Sequence, residues 1–148
     1  MDDKCRVRRE GGDDFDAVVI AASVGLGGYQ KYIRRFAHEH AGRLTSKPSA
    51  FVSVNGTSPE TLPEWRAASK RYIEGFLQET SWRPRWTAGF TGALCYSKYG
   101  FATRMVMKYL SRRQGGPTDT SKDYEFTDWQ AVDRFAAELA TGLVPSQI

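Results

Sequence analysis

Two stretches of the chain are apolar at nearly every position: residues 17–22, Ala-Val-Val-Ile-Ala-Ala, and residues 49–54, Ser-Ala-Phe-Val-Ser-Val. Short uninterrupted apolar runs of this kind predict strands covered on both faces, as in a parallel sheet. A third run at 87–93, Thr-Ala-Gly-Phe-Thr-Gly-Ala, has strand length but carries two glycines, which weakens it.

The pattern changes period after each strand. Tyr29, Tyr32, Ile33, Phe36, Ala37 and His40 recur at helical spacing. Thr61-Leu-Pro-Glu64 has the form of a capping box, with Leu62, Trp65, Tyr72, Ile73 and Phe76 on one face behind it. Thr127-Asp-Trp-Gln130 has the same form and leads into Trp129, Val132, Phe135, Ala136 and Leu139. Strands alternating with helices predict an α/β sandwich. The stretch from about 96 to 126 is too long for an ordinary loop between strand and helix, so it reads as an insertion.

At 148 residues the chain fits one domain, and 41 % hydrophobic with 26 % charged residues is the balance of a globular protein. Cys5 and Cys95 are far apart and form no metal-ligand spacing, which points to a reducing compartment. The start, Met1-Asp-Asp-Lys4, is acidic and is followed by no apolar run, so no signal peptide is expected. The longest apolar run is far short of a membrane span. The expectation is a cytoplasmic protein, soluble or peripheral at the inner face of the membrane.

Charge changes the picture in one place. Between Glu79 and Asp119 there is no acidic residue but seven basic ones: Arg83, Arg85, Lys98, Arg104, Lys108, Arg112 and Arg113. From Phe101 to Arg113 the spacing is helical, with Arg104, Lys108 and Arg112 on one stripe and Phe101, Met105, Val106 and Tyr109 on another. Such a helix suits a membrane surface or an anionic substrate, and equally a domain helix with a solvated basic stripe. The net charge of +4 is small, and no nucleic-acid-binding motif is present, so nucleic acid is not an expected partner.

In an open parallel sheet ligands lie beyond the carboxyl ends of the strands. Those ends are Ser23-Val-Gly-Leu-Gly-Gly-Tyr29, Asn55-Gly-Thr-Ser58 and Gly92-Ala-Leu-Cys-Tyr96. Ser23, Gly25, Gly27, Tyr29, Asn55, Gly92, Ala93 and Tyr96 are the candidate contacts to a flat aromatic ligand, with Tyr29 or Tyr96 stacking on it. Cys95 reads either as a reactive thiol in this crevice or as a small packed residue. His38 and His40 read as helix residues, and the acids Asp119, Asp123, Glu125 and Asp128 as loop and helix-start charge. No side chain is assigned as a catalytic acid or base.

Taken in order, Phe15-Asp-Ala-Val-Val-Ile-Ala-Ala-Ser23, Lys47-Pro-Ser-Ala-Phe-Val-Ser-Val-Asn55, Ser81-Trp-Arg-Pro84, Gly92-Ala-Leu-Cys-Tyr96, Gly115-Gly-Pro-Thr-Asp-Thr120 and Tyr124-Glu-Phe-Thr-Asp-Trp129 resemble the flavodoxin-like menaquinone-dependent protoporphyrinogen IX dehydrogenase family. The resemblance runs from about Asp14 to Leu139. It implies a three-layer sandwich that binds FMN, takes electrons from a porphyrinogen and passes them to a quinone in haem synthesis. On that resemblance the three strand-end loops flank the flavin ring, and Lys98, Arg104, Lys108 and Arg112 meet substrate propionates or the membrane.

The chain departs from the family pattern at its start, where only about a dozen residues precede the first clear strand. No Ser/Thr-rich loop at a helix start, the usual grip for the FMN phosphate, is found there. Within the loops, Gly25-Leu-Gly-Gly28 and Cys95 stand where larger or basic residues are usual. The expected architecture is therefore flavodoxin-like and incomplete at the N-terminus. Two other readings stay open: a flavin-free remnant serving as a binding module or self-associating, and a truncated reading frame.

Overall fold

The computed structural model describes residues 15–25, 28–56, 62–95, 100–113 and 117–143. Three strands, β1 (Val18–Ser23), β2 (Ser49–Val54) and β3 (Trp86–Phe90), form a parallel sheet in the order β1-β2-β3. The register pairs Val18 with Ser49 and Ala50 with Trp86, so Ile20, Phe51 and Thr87 lie in one row.

Helices α1 (Lys31–Glu39) and α2 (Ala41–Ser46) connect β1 to β2, and α3 (Pro63–Thr80) connects β2 to β3. The α1 pattern predicted from Tyr29 to His40 is real, but the chain breaks at His40 and restarts as α2, which the periodicity did not reveal. Both capping boxes are corrected. The α3 helix begins at Pro63 behind Leu62, with no side-chain cap. Proline fits a first turn because its missing N–H would have no helical partner there. At the last helix, α5 (Trp129–Leu143), the cap comes from Asp128, whose Oδ1 accepts the Ala131 N–H at 3.1 Å. Thr127 turns away and donates to the Thr91 carbonyl at 3.0 Å.

One face of the sheet carries an aromatic core. Phe51 stacks on Phe76 with ring centres 4.3 Å apart and planes 9° apart. Tyr29 meets the pair edge-on at 5.5 and 5.1 Å, and Trp82 does so at 5.7 Å from Phe51. Ile20, Ala22, Ala37 and Leu44 close the cluster. Across α1 and α3, Arg34 forks onto Glu79 with Nε–O distances of 2.9 and 3.0 Å.

On the other face α5 packs against β3, where Phe135 meets Phe90 at 5.9 Å. The layers are therefore helix, sheet, helix. The expected third strand ends at Phe90, and the residues after it form a separate short strand. This β4 (Ala93–Cys95) pairs antiparallel with β5 (Asp123–Glu125), bracketing α4 (Phe101–Arg113). The insertion thus has secondary structure of its own.

Candidate functional site

At the carboxyl edge of the sheet the three strand ends are knitted together by backbone hydrogen bonds. The Val24 N–H donates to the Val54 carbonyl at 2.9 Å, and the Asn55 N–H to the Phe90 carbonyl at 2.9 Å. One step further out, the Gly92 N–H donates to the Gly56 carbonyl at 3.1 Å. The segment after β5 then seals the outer side, with the Phe126 N–H on the Gly92 carbonyl and the Thr91 hydroxyl on the Phe126 carbonyl.

The residues that face outward from this ledge are small and uncharged. Ser23, Gly25, Gly56 and Ala93 are exposed, and Gly92 is half-buried. Glycine is required at two points. Gly28 closes a turn with reciprocal backbone bonds to Gly25 and has φ +96°, and Gly56 has φ +70°. A flat ring can approach the main chain closely along such an edge. The small exposed residues of this edge fit a flat ring such as that of a flavin.

The structure places the sequence candidates unevenly. Ser23, Gly25, Asn55, Gly92 and Ala93 converge on the ledge. Gly27, Tyr96 and Lys98 lie outside the described residues, as do residues 1–14, and the Cys95 side chain is not among the groups described. Tyr29 is at the ledge by sequence but its ring is turned inward, 7 % exposed, among Phe51, Tyr72 and Phe76. Its hydroxyl pairs with Ser53 Oγ at 2.6 Å, and burial pushes its pKa up.

Asn55 is also drawn beneath the ledge. Its Nδ2 donates to Ser53 Oγ at 2.9 Å and to Ser69 Oγ at 3.1 Å, while its carbonyl accepts the Trp65 indole N–H at 2.9 Å. Sequence reasoning missed Ser53, Ser69 and Trp65. Their signal was present as polar residues in phase with a buried face. Ser53 alternates in step with Phe51, and Ser69 stands four residues after Trp65 and four before Ile73.

Beyond the ledge, α4 exposes its apolar stripe: Phe101 is 80 % exposed and Tyr109 is 59 %, with Met105 and Val106 also exposed. Arg112 and Arg113 are exposed beside it, and Arg104 and Lys108 are half-buried. The Ser111 hydroxyl fastens the helix end by donating to the Pro117 carbonyl at 2.7 Å. Among the described residues no helix is long and apolar enough to cross a membrane.

The flavodoxin domain family matches residues 3–121. The chain is 39 % identical over 136 residues to the protoporphyrinogen IX dehydrogenase (quinone) of Escherichia coli strain K12, covering 91 % of this chain and 74 % of that protein. To the protein of the same name from Leishmania major it is 35 % identical over 127 residues, covering 86 % of this chain and 54 % of that protein. No solved structure matches the chain. With the parallel sheet, the helical layers and an ordered likeness over most of its length, the chain belongs to the flavodoxin domain family, in the group of the protoporphyrinogen IX dehydrogenases (quinone).

Proposed function

We propose that this chain is an FMN-dependent oxidoreductase that takes electrons from a porphyrinogen and delivers them to a quinone. The observation that carries the reading is the 39 % identity to a protoporphyrinogen IX dehydrogenase (quinone) across 91 % of the chain. The small, uncharged ledge supports it.

FMN, when bound, would supply the two-electron redox chemistry. The chain's own part is placement. Ser23, Gly25, Gly56, Gly92 and Ala93 would border the ring, while Tyr29 and Asn55 hold the ledge from below. The phosphate grip is assigned to no described residue. Arg104, Lys108 and Arg112 would meet anionic groups, either porphyrinogen propionates or lipid headgroups, and the Phe101–Tyr109 stripe would enter the interface where quinone resides. On this reading the protein works as a peripheral protein on the cytoplasmic side of a membrane.

The test is an FMN titration followed by flavin fluorescence, then anaerobic oxidation of protoporphyrinogen with a soluble quinone followed by porphyrin fluorescence. Stoichiometric binding and quinone-dependent porphyrin formation are expected. A folded chain that binds no FMN at hundred-micromolar concentration would overturn the reading.

A second reading, a flavin-free module acting by association, is favoured by one observation. Val19 and Ala21 in β1 are exposed on the face opposite the aromatic core, and β1 has no neighbour on its outer edge among the described residues. Bare apolar strand edges invite pairing with another chain. Sedimentation of the FMN-free protein separates the two: a monomer disfavours association.

A further inference from the structure

The geometry points to Ser69 and Trp65 of α3 as positioning residues that hold the Asn55–Gly56 turn at the ledge, a role that rests on the flavin reading. Both act through Asn55.

The argument starts from what the end of β2 must do. After Val54 the chain leaves the sheet and, at Gly56, takes a positive φ of +70° that only glycine adopts easily. Such a turn has many conformations open to it unless its neighbours are tied. Here four hydrogen bonds converge on Asn55. Its N–H is fixed by the Phe90 carbonyl and its carbonyl by the Trp65 indole. The two hydrogens of its amide nitrogen go to Ser53 and Ser69. Ser53, Asn55 and Ser69 are all buried, at 0, 5 and 4 % exposure, so these bonds form away from competing water.

Packing around the knot is equally specific. A Cβ on Gly89 of β3 would stand 2.2 Å from Ser69 Oγ, so glycine at 89 is what lets the Ser69 hydroxyl come over the sheet to Asn55. A Cβ on Gly56 would stand 3.0 Å from Trp65 Nε1, so the indole closes over the turn itself. The turn is thus held by a side chain on its inner side and by a ring above it. Gly56 in turn accepts the Gly92 N–H, which carries the constraint to the next loop of the ledge.

Three variants and one control test this. Ser69→Ala removes the hydroxyl. Trp65→Phe removes the indole donor while keeping an aromatic ring. Gly89→Ala leaves Ser69 intact but displaces it. Ser49→Ala, at the opposite end of β2, removes a buried hydroxyl remote from the ledge and serves as control. Each of the three variants is expected to weaken FMN binding roughly tenfold, the equivalent of one lost hydrogen bond at about 1.4 kcal/mol per decade. The control is expected to lower Tm with FMN affinity unchanged.

The double variant Ser69→Ala/Gly89→Ala should bind FMN no worse than Ser69→Ala alone, because the added Cβ then meets the residue-69 Cβ at 3.5 Å and the Trp65 Cη2 at 3.6 Å, both ordinary van der Waals contacts. Hydrogen exchange at residues 55 and 56 in the FMN-free protein gives a readout that needs no cofactor. It should quicken in Ser69→Ala and Trp65→Phe and not in the control. If the wild-type chain binds no FMN, the flavin reading fails while the exchange experiment still decides whether the knot holds the turn. Unchanged exchange at 55 and 56 overturns the inference, as does an FMN affinity that falls equally in the control.

Discussion

The Trp82 indole N–H donates to Ser49 Oγ at 3.1 Å, joining the segment after α3 to the first residue of β2. Both residues are 1 % exposed, and the same serine donates to the Leu44 carbonyl at 2.7 Å. One hydroxyl therefore satisfies a buried indole donor and the last turn of α2. Ser49→Ala strands both partners, so a loss of about 1–3 kcal/mol is expected in urea unfolding, the usual cost of buried polar groups left unpaired. An unchanged midpoint would show that water replaces the hydroxyl there.

The Phe51–Phe76 stack lies at the centre of the core, with Phe51 wholly buried and Phe76 nearly so. Phe51→Ala removes the ring that Tyr29, Phe76 and Trp82 all contact. The expected loss is about 3–5 kcal/mol, a large share of the roughly 5–15 kcal/mol that holds an ordinary domain together. Near-ultraviolet circular dichroism of Phe51→Leu, which refills part of the space, checks that the loss comes from packing.

Tyr29 gives the stability a pH dependence on the alkaline side. Burial raises its folded pKa above the value near 10 of an exposed tyrosine. Above that ordinary value the unfolded chain loses the proton while the folded one keeps it, so stability declines as pH rises through this window. Well below pH 10, where the phenol is protonated in both states, the group contributes no slope. Tyr29→Phe should flatten the decline in unfolding midpoints measured between pH 9 and 11. A slope that persists undiminished would place its origin elsewhere.

Gly142 of α5 sits against Trp86 of β3, where a Cβ would come within 2.5 Å of the indole Cζ2. Alanine at 142 favours the helix by about 0.8–1 kcal/mol, but forcing the ring aside costs roughly 1–3 kcal/mol, so a net destabilisation is expected. Trp86 also carries the Arg85 guanidinium 4.6 Å from its ring centre, which limits how far the indole can swing. Tryptophan fluorescence of Gly142→Ala should report a more solvated indole. A rise in Tm would show that Trp86 yields freely.

Through α4, binding to vesicles is expected to need both charge and grease. Flotation with anionic vesicles should be lost in Arg104→Gln/Lys108→Gln/Arg112→Gln, at about 1 kcal/mol for each charge near the surface. It should weaken with added salt, because the Debye length shrinks. Phe101→Ser/Tyr109→Ser should reduce binding without changing its salt dependence. Equal binding of wild type and variants would leave the stripe as a solvated face.

The strands β1 and β2, the helices α1, α3, α4 and α5 and their order could be read from the chain, because an apolar run and a helical period are local properties. The break at His40 and the short β4–β5 pair left no such period. Ser23, Gly25, Asn55, Gly92 and Ala93 could be placed together on one edge because strand ends in a parallel sheet fall there whatever the sequence between them. The same logic misjudged Tyr29. Its position near a strand end is local, but the direction of its ring is set by the hole between Phe51, Tyr72 and Phe76.

Sequence by itself determined the helix–sheet–helix architecture and the basic amphipathic character of α4, since burial pattern and charge spacing are written along the chain. Only the tertiary structure decided that Asn55 faces inward, that Ser53 and Ser69 meet it, and that Gly89 must lack a side chain. Those facts depend on three segments far apart in sequence arriving within hydrogen-bond distance. A short-range bond of about 3 Å has no trace in the sequence until packing brings its partners together.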